Sequence, residues 1–490
     1  MKQPTLPFWQ VWNVSFGFLG VQLGFAMQNA NVSRVLSDLG ADLHSLSLFW
    51  LAAPIMGLLV QPIVGAASDR TWNKIGRRKP FILGGAFAAA LGMFMMPNAS
   101  IFVAFLAPML FGGIILALMD GAFNVTMQPF RALVADMVPD QQRTLGYSIQ
   151  SLLINIGAVI GSILPFVLTN VIGLDNTAEK GQVAQTVTWA FYIGGTALLG
   201  TVLWTCFRTK EYAPEDYNRY KNITPKPIVK TSLATRLGAF WQLFIHMPKT
   251  MRQLALVQFF SWFSLFIMWV YSTPAITQYI WGIDAKWFDP VYLHTLDSIP
   301  ADIAAAKGAA GDWVGIIFAA YSLFAAFFSV VLTRIANRLG RKLTYSLSLL
   351  AGGISYISFL LFQNAEIVHV NLLVTQVDVP QGALNLLLPM IGIGIAWAAI
   401  LAMPYAILSS SLPADKTGVY MGIFNFTIAA PQIVSGLVAG QILKYVFDNH
   451  AINIIVLAGV SMILGAIAVY FVQDNGDETV AVSAQGIDVV

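Results

Sequence analysis

One cysteine, Cys206, stands in 490 residues, so no intrachain disulfide can form and no cysteine-based metal cluster can assemble. Charge is scarce too: Asp, Glu, Lys and Arg make up 10% of the chain against 57% hydrophobic residues, with a mean hydropathy of +0.69. That much apolar surface cannot be hidden in a water-soluble core of this size, and the bilayer is the expected solvent. The net charge of +3 is too small and scattered to argue for a nucleic-acid partner. There is no G-x-S-x-G, no H-E-x-x-H and no paired intramembrane carboxylate, and His44, His246, His294, His369 and His450 all fall in loops or at segment ends. A membrane enzyme is therefore not expected, nor a cofactor or metal. The apolar stretch beginning near Phe8 is too long for a signal-peptide core and lacks a small-residue cleavage site, so it is read as a retained span.

Twelve apolar segments are long enough to cross a bilayer at about 20 residues each. They run 8–30, 46–67, 80–97, 102–134, 145–171, 187–207, 254–280, 313–333, 343–362, 384–410, 419–446 and 452–472. Basic residues cluster in even-to-odd connections: Arg70, Lys74, Arg77, Arg78 and Lys79; Arg334, Arg338, Arg341 and Lys342; and a central linker with Arg208, Lys210, Arg219, Lys221, Lys226, Lys230 and Arg236. The positive-inside rule makes that side cytoplasmic, with both termini inside the plasma (inner) membrane. The expected division is a six-helix bundle at 1–207, a linker at 208–250, a second bundle at 251–473 and a tail at 474–490. The bundles echo each other. "GRRK" at 76–79 is answered by "GRK" at 340–342, "ALVADMVPDQQRTLGY" at 132–147 by "AILSSSLPADKTGVY" at 406–420, and "GAVIG" at 157 by "GLVAG" at 436. Two parallel six-helix halves sharing a loop motif is the organisation of the major facilitator superfamily, an all-α membrane fold of twelve helices.

Asp120 is the one acid expected well inside the bilayer, where a charge costs roughly 2.5–3.5 kcal/mol on insertion scales. Arg131, eleven residues on, returns to within about 20° of it on a helix, and Asn124 lies about 40° away, with Gln128 at the edge of the stripe. Lipid would leave these groups unpaired, so the stripe must face protein or a wet cavity. The counterparts in the second half, 274 residues further, are the uncharged Gly394 and Tyr405. A coupling site is needed only once, which favours a functional over a structural reading of Asp120. Asp120 and Arg131 are some 16 Å apart along the helix axis, too far to pair directly.

Five stretches, "GVQLGFAMQ" (20–28), "LFWLAAPIMGLLVQPIVGAASDR" (48–70), "GRRKPFIL" (76–83), "DGAFNVTMQPFRALVAD" (120–136) and "GVYMGIFNFTIAAPQIVSG" (418–436), resemble the plant sucrose/proton symporters. Animal and bacterial relatives of those proteins lie in the glycoside-pentoside-hexuronide branch of the superfamily. The resemblance implies that Asp120 matches the acid that carries the coupled proton and contacts sugar, and that Arg131 matches the essential arginine of the same helix. Plant members place acids toward the outer end of helix 7, whereas "SWFSLFIMWVYSTPAITQY" keeps Trp262 and Phe263 without one. That departure suggests a bacterial-type member taking maltose or another α-glucoside.

The expected function is a proton-coupled symporter importing a disaccharide or α-glucoside, with an exporter or an uncoupled facilitator of the same fold as alternatives. Its partners are then a small sugar, the proton and the lipid bilayer, and the protein is expected to be a monomer. Sugar needs hydroxyl partners and flat apolar faces. Besides Asp120, Asn124, Gln128 and Arg131, the candidates are Gln22, Gln28 and Asn29 on helix 1, Trp50 and Gln61 on helix 2, and Gln150 and Asn155 on helix 5. The second half offers Gln258, Trp262, Trp269, Tyr271, Trp397, Asn425 and Gln432. "SDRTWNKIGRRK" resembles the superfamily's loop between helices 2 and 3, so Asp69, Arg70, Arg77 and Arg78 are gating candidates. Asp69 would cap a helix N-terminus in the other half, where the macrodipole favours negative charge, and the basic residues would set topology and meet anionic headgroups.

If Arg131 bonds either the ionised acid or a sugar hydroxyl, Arg131→Lys keeps the charge but loses the planar fork. Loss of a charge-assisted hydrogen bond, about 1.5–3 kcal/mol, predicts a fall in uptake of roughly ten-fold or more. Normal uptake by the lysine variant removes Arg131 from the site.

Overall fold

The computed structural model describes residues 3–102, 107–139, 142–179, 181–221, 247–371, 376–409 and 424–474. Among them run twelve long helices. The first half holds α1 (Gly17–Asp38), α2 (Ala52–Arg70), α3 (Lys79–Met95), α4 (Pro108–Met137), α5 (Arg143–Asn170) and α6 (Gln185–Arg208). The second holds α7 (Lys249–Tyr279), α8 (Ala301–Leu339), α9 (Arg341–Ser358), α10 (Pro389–Ser409), α11 (Phe426–Tyr445) and α12 (Ala451–Ala468). A short helix, Phe8–Ser15, leads almost unbroken into α1.

Among the described residues, eleven stretches are apolar and long enough to cross a membrane, and α1 is the long helix that does not qualify. Its polar residues explain this: Gln22, Gln28, Asn29, Asn31 and Arg34 all lie within it. α1 is nevertheless buried along most of its length, packed against α5, α6 and α4. A helix walled in by other helices can carry polar groups that lipid would not tolerate.

Two boundaries differ from the sequence reading. α1 continues past Ala30 to Asp38, and α8 begins at Ala301, so the last part of the expected 282–312 loop is helical. The stretch "ADIAAAKGAAGDW" is rich in alanine, follows Pro300 at the N-cap and has Asp302 in its first turn. Helix propensity and the macrodipole therefore extend the helix where hydropathy alone ends it. A two-stranded antiparallel hairpin, β1 (Ile367–Asn371) with β2 (Gln376–Pro380), between α9 and α10 is a small exception to the all-α class.

The small-residue repeat does different work in each half. On α5, a Cβ at Gly157 or Gly161 would strike the backbone of Leu19 or Leu23 on α1, so the two helices touch main chain to main chain. On α11, Gly436 and Gly440 meet Leu51 and the carbonyls of Ser47 and His44, which belong to the other half. Gly315 of α8 lies against the Ser162 carbonyl of α5, again across the seam. All of these seam contacts lie toward the side of the bundle opposite the linker.

Gly157→Val overpacks a contact whose neighbour is backbone and cannot give way, at a cost of about 1–3 kcal/mol. Gly84 of α3 has nothing within 4 Å of an added Cβ. Thermal unfolding in detergent should show a clear drop in Tm for Gly157→Val and little change for Gly84→Val; equal melting of the two would refute the close α1–α5 contact.

Candidate functional site

Asp120 sits near the middle of α4 and is 1% exposed. Gln28 of α1 donates to its Oδ1 from Nε2 at 2.6 Å. Neither Asp120 Oδ2 nor Gln28 Oε1 has a hydrogen-bond partner among the described residues. Asn124, one turn on, donates to the Asp120 carbonyl at 2.8 Å and accepts from Gln61 Nε2 of α2 at 2.6 Å. Gln128 follows on the same face, 3.8 Å from where a Cβ on Gly65 of α2 would stand. The polar stripe read from the sequence thus lies between α1 and α2, out of lipid.

Arg131 differs from Asp120 in environment. Its side chain is exposed although protein lies close around it, so it lines an open crevice in the linker-side half of α4. Its electrostatic neighbour is Tyr405 of α10, the residue 274 positions further on. The two repeat-related positions face each other across the seam. Asp120 has no cationic partner among the described residues, which agrees with the axial separation expected on one helix.

The other sugar candidates divide. Trp262, Trp269 and Trp397 come together, with ring centroids 5.9–6.3 Å apart. Gln150 is buried with its Nε2 unpartnered among the described residues. Four more make contacts within the protein: Trp50 is buried and donates to Ser33 Oγ at 3.0 Å. Gln258 accepts from Tyr345 at 3.2 Å inside the second half. Asn155 turns back to the Ser151 carbonyl at 2.9 Å, and Tyr271 is fully buried beside Ser47 at the closed seam. Trp50 and Asn155 spend their N–H groups on these bonds, whereas Gln258 Nε2 and the Tyr271 hydroxyl are buried without a partner among the described residues. Gln22, Asn29, Asn425 and Gln432 are half-buried or exposed, and their side chains join none of these networks.

The gating candidates bond within their own half. Arg77 and Arg78 reach Asp136 Oδ2, at the end of α4, at 2.6 and 3.0 Å, and Arg78 donates to Ser68 Oγ at 2.7 Å. Glu211 accepts from the backbone N–H groups of Arg77, Arg78 and Lys79 at 2.9–3.0 Å, satisfying donors that the start of α3 leaves open. Arg341, the second half's counterpart, pairs with Asp474 and donates to the Ala406 carbonyl at 2.9 Å. The repeated basic motif therefore ties helix ends together inside each half. The side chains of Asp69 and Arg70 lie outside the described residues.

The bonded seam is on the side opposite the linker, and the sequence reading missed it. Arg34 of α1, 5% exposed, donates from Nη1 to Asp312 Oδ1 of α8 at 3.2 Å; Asp312 is 3% exposed. Arg34 Nη2 also reaches the Asn176 carbonyl at 2.9 Å and its Oδ1 at 2.8 Å. Asp312 Oδ2 accepts from Thr169 at 2.7 Å and Asn176 Nδ2 at 2.9 Å. Asp38 stands 3.9 Å from Arg34 Nε, and Lys307 of α8 lies within electrostatic reach of Asp38. Asp120 is thus not the sole acid within a spanning helix. Arg34 and Asp312 fell just beyond the apolar segments, and the i, i+4 pair Arg34–Asp38 with the alanine-rich run before Trp313 was the available signal.

Residues 14–293 and 295–486 match the sequence profile described as Major Facilitator Superfamily. The chain belongs to that superfamily. This facilitator is 26% identical over 467 residues to Sucrose transport protein SUT5 of Oryza sativa subsp. indica, covering 86% of this chain and 80% of the relative. It is 26% identical over 273 residues to a General alpha-glucoside permease of Schizosaccharomyces pombe, covering 54% and 47% respectively. It is 31% identical over 169 residues to Proton-associated sugar transporter A of Mus musculus, covering 33% and 22%. Its fold matches the crystal structure of the nucleoside transporter NupG with a TM-score of 0.61 at 14% identity, over 94% of this chain and 100% of that one. The family consists of transporters, not enzymes.

Asp312→Asn removes the charge facing a buried arginine, a loss typically worth about 3–5 kcal/mol, all of it from the closed seam. A cysteine placed at the buried Ser47 should then react at least about ten-fold faster with an impermeant maleimide added on the side opposite the linker. The swap Arg34→Asp with Asp312→Arg should slow it again. Unchanged labelling would show that the pair does not hold the seam.

Proposed function

We propose that the chain is a proton-coupled sugar transporter that imports a disaccharide or α-glucoside by alternating access. The observation that carries this reading is Asp120: deep in α4, held through one oxygen by Gln28, with the other oxygen free and no cation beside it among the described residues. The equivalent position of the second half carries no acid. An added Cβ at Gly394 would come within 2.7 Å of the Tyr321 carbonyl of α8, so a carboxyl does not fit there. A single acid with an open bonding position suits a group that trades a proton and meets a substrate.

Ionising a carboxyl shut away from water and cations is expensive, so Asp120 keeps its proton while the site is dry. Water entry, or an approach of Arg131 as the helices shift, stabilises the carboxylate and releases the proton. The neutral acid can give its hydrogen to a sugar hydroxyl, with Asn124, Gln61 and Gln128 supplying further amide partners. In this reading the protein sits in the plasma membrane, and the basic loops support a cytoplasmic linker side with both termini on it. The bonded far seam and the open crevice at Arg131 then correspond to the inward-facing state. The relatives' names, a sucrose transport protein, an alpha-glucoside permease and a proton-associated sugar transporter, support the substrate class and the coupling. The absence of an acid on α7 favours maltose or another α-glucoside over sucrose itself. The protein works as a monomer in this reading.

Asp120→Asn mimics the neutral acid and cannot exchange a proton. In proteoliposomes it should lose gradient-driven accumulation, bringing the sugar ratio to unity, while sugar-for-sugar exchange persists. Wild-type uptake should rise as the outside pH falls. An asparagine variant that still concentrates maltose or sucrose under a proton gradient overturns the proposal, and efflux driven by an inward proton gradient would favour an exporter.

A further inference from the structure

Three tryptophans from two helices of the second half meet at mid-membrane depth. The rings of Trp262 and Trp269 on α7 lie 6.3 Å apart, and each is 5.9 Å from Trp397 on α10, with interplanar angles of 59°, 77° and 87°. The angles rule out a closed stack: Trp397 meets each of the other two edge to face, Trp262 and Trp269 are tilted, and Trp269 and Trp397 stay partly uncovered. α7 packs mainly on α12 and α11, and α10 on α9 and α8, so this trio bridges helices that otherwise belong to different neighbours. Trp269 Nε1 donates to Tyr321 at 3.3 Å, and Trp269 and Trp397 both keep part of their surface open. Trp262 is only 8% exposed, yet its Nε1 has no acceptor among the described residues. A buried indole normally finds one, so an unfilled donor here points to a partner that comes and goes.

The internal repeat connects this cluster to the acid. Each half opens on a capping proline: Pro7 caps the short helix Phe8–Ser15 that leads into α1, and Pro248 caps α7. Gln28 stands 21 residues after the first and Trp269 stands 21 residues after the second. Trp269 thus takes in the second half the position from which Gln28 holds Asp120 in the first. The counterpart of Asp120, Gly394, lies one turn before Trp397 on α10. Trp262, Trp269, Trp397 and Asp120 each stand within five residues of the midpoint of their helix, about 8 Å at 1.5 Å per residue. Where one half presents carboxyl and amides, the other presents indoles at the same depth.

We infer that Trp262, Trp269 and Trp397 form the apolar wall of the substrate site, seating the C–H face of a pyranose ring, with Trp262 Nε1 donating to a ring hydroxyl. The inference rests on the sugar-transport reading and adds the division of labour: the first half reads hydroxyls, and the second reads the flat face. Such a wall selects ring sugars over open-chain polyols that offer the same hydroxyls.

Equilibrium binding of maltose, sucrose and sorbitol to the purified full chain tests it, with the Tm of every variant measured alongside. Trp397→Ala should weaken disaccharide binding about ten-fold while sorbitol binding changes little. Trp397→Phe, which keeps a flat ring, should restore most of the loss. Trp262→Phe keeps the ring but removes the N–H and should cost about five-fold with an unchanged Tm. Wild-type disaccharide affinity in Trp397→Ala and Trp262→Phe would overturn the wall and leave the transport reading standing. If the wild type binds neither disaccharide, the transport reading fails and the wall with it. Equal loss for disaccharide and sorbitol would also overturn the wall, since it would mark a general collapse of the site.

Discussion

The contact between Arg34 and Asp312 decides which face of the molecule is shut. Both charges are almost fully removed from water, one on α1 and the other on α8, and the loop residue Asn176 bonds to each of them. A charge pair in that setting gains little over well-packed apolar groups while intact, but separating it without water would strand two ions in a low dielectric. The pair therefore behaves as a threshold. Either the seam stays closed with Arg34, Asp312 and Asn176 bonded to one another, or it opens far enough to hydrate both charges at once. The crevice that leaves Arg131 exposed on the other side is the complement of that closure, since rigid halves that meet at one end part at the other.

Much of this was legible in the sequence because the bilayer enforces it. Twelve spans, two echoing halves and a polar stripe on α4 follow from the need to satisfy backbone groups in lipid and from helix periodicity. The Asp120–Asn124 face could be named in advance for the same reason. What escaped had a common cause. Hydropathy ends a span at the first charge, so Arg34, Lys307 and Asp312 were assigned to loops although helix propensity carries α1 and α8 through them. Side chains such as Trp50, Gln258 and Tyr271 have the right chemistry for sugar, but what they touch depends on helix rotation and neighbours that a single sequence does not specify. The latch expected between halves rests on Asp69, whose side chain lies outside the described residues, while Arg77 and Arg78 of the same motif close onto Asp136 beneath their own bundle.

The halves share a fold and differ in chemistry. Position 394 has room only for glycine against the α8 backbone, while position 120 carries the acid; position 28 holds an amide and position 269 an indole. The equivalent positions of the two halves thus carry different chemistry. The Arg131–Tyr405 opposition fits the same pattern, with a cation and a phenol at equivalent positions looking at each other across the crevice.

The glycines at the seam set how that frame moves. Gly315 and Gly440 put bare main chain against carbonyls of the opposite half, and Gly436 seats the Leu51 side chain beside the Ser47 carbonyl. Main-chain contacts of that kind separate without any rotamer having to change. In the transport cycle proposed above they would serve as the bearing faces of a joint, with the nearby charge pair as its catch.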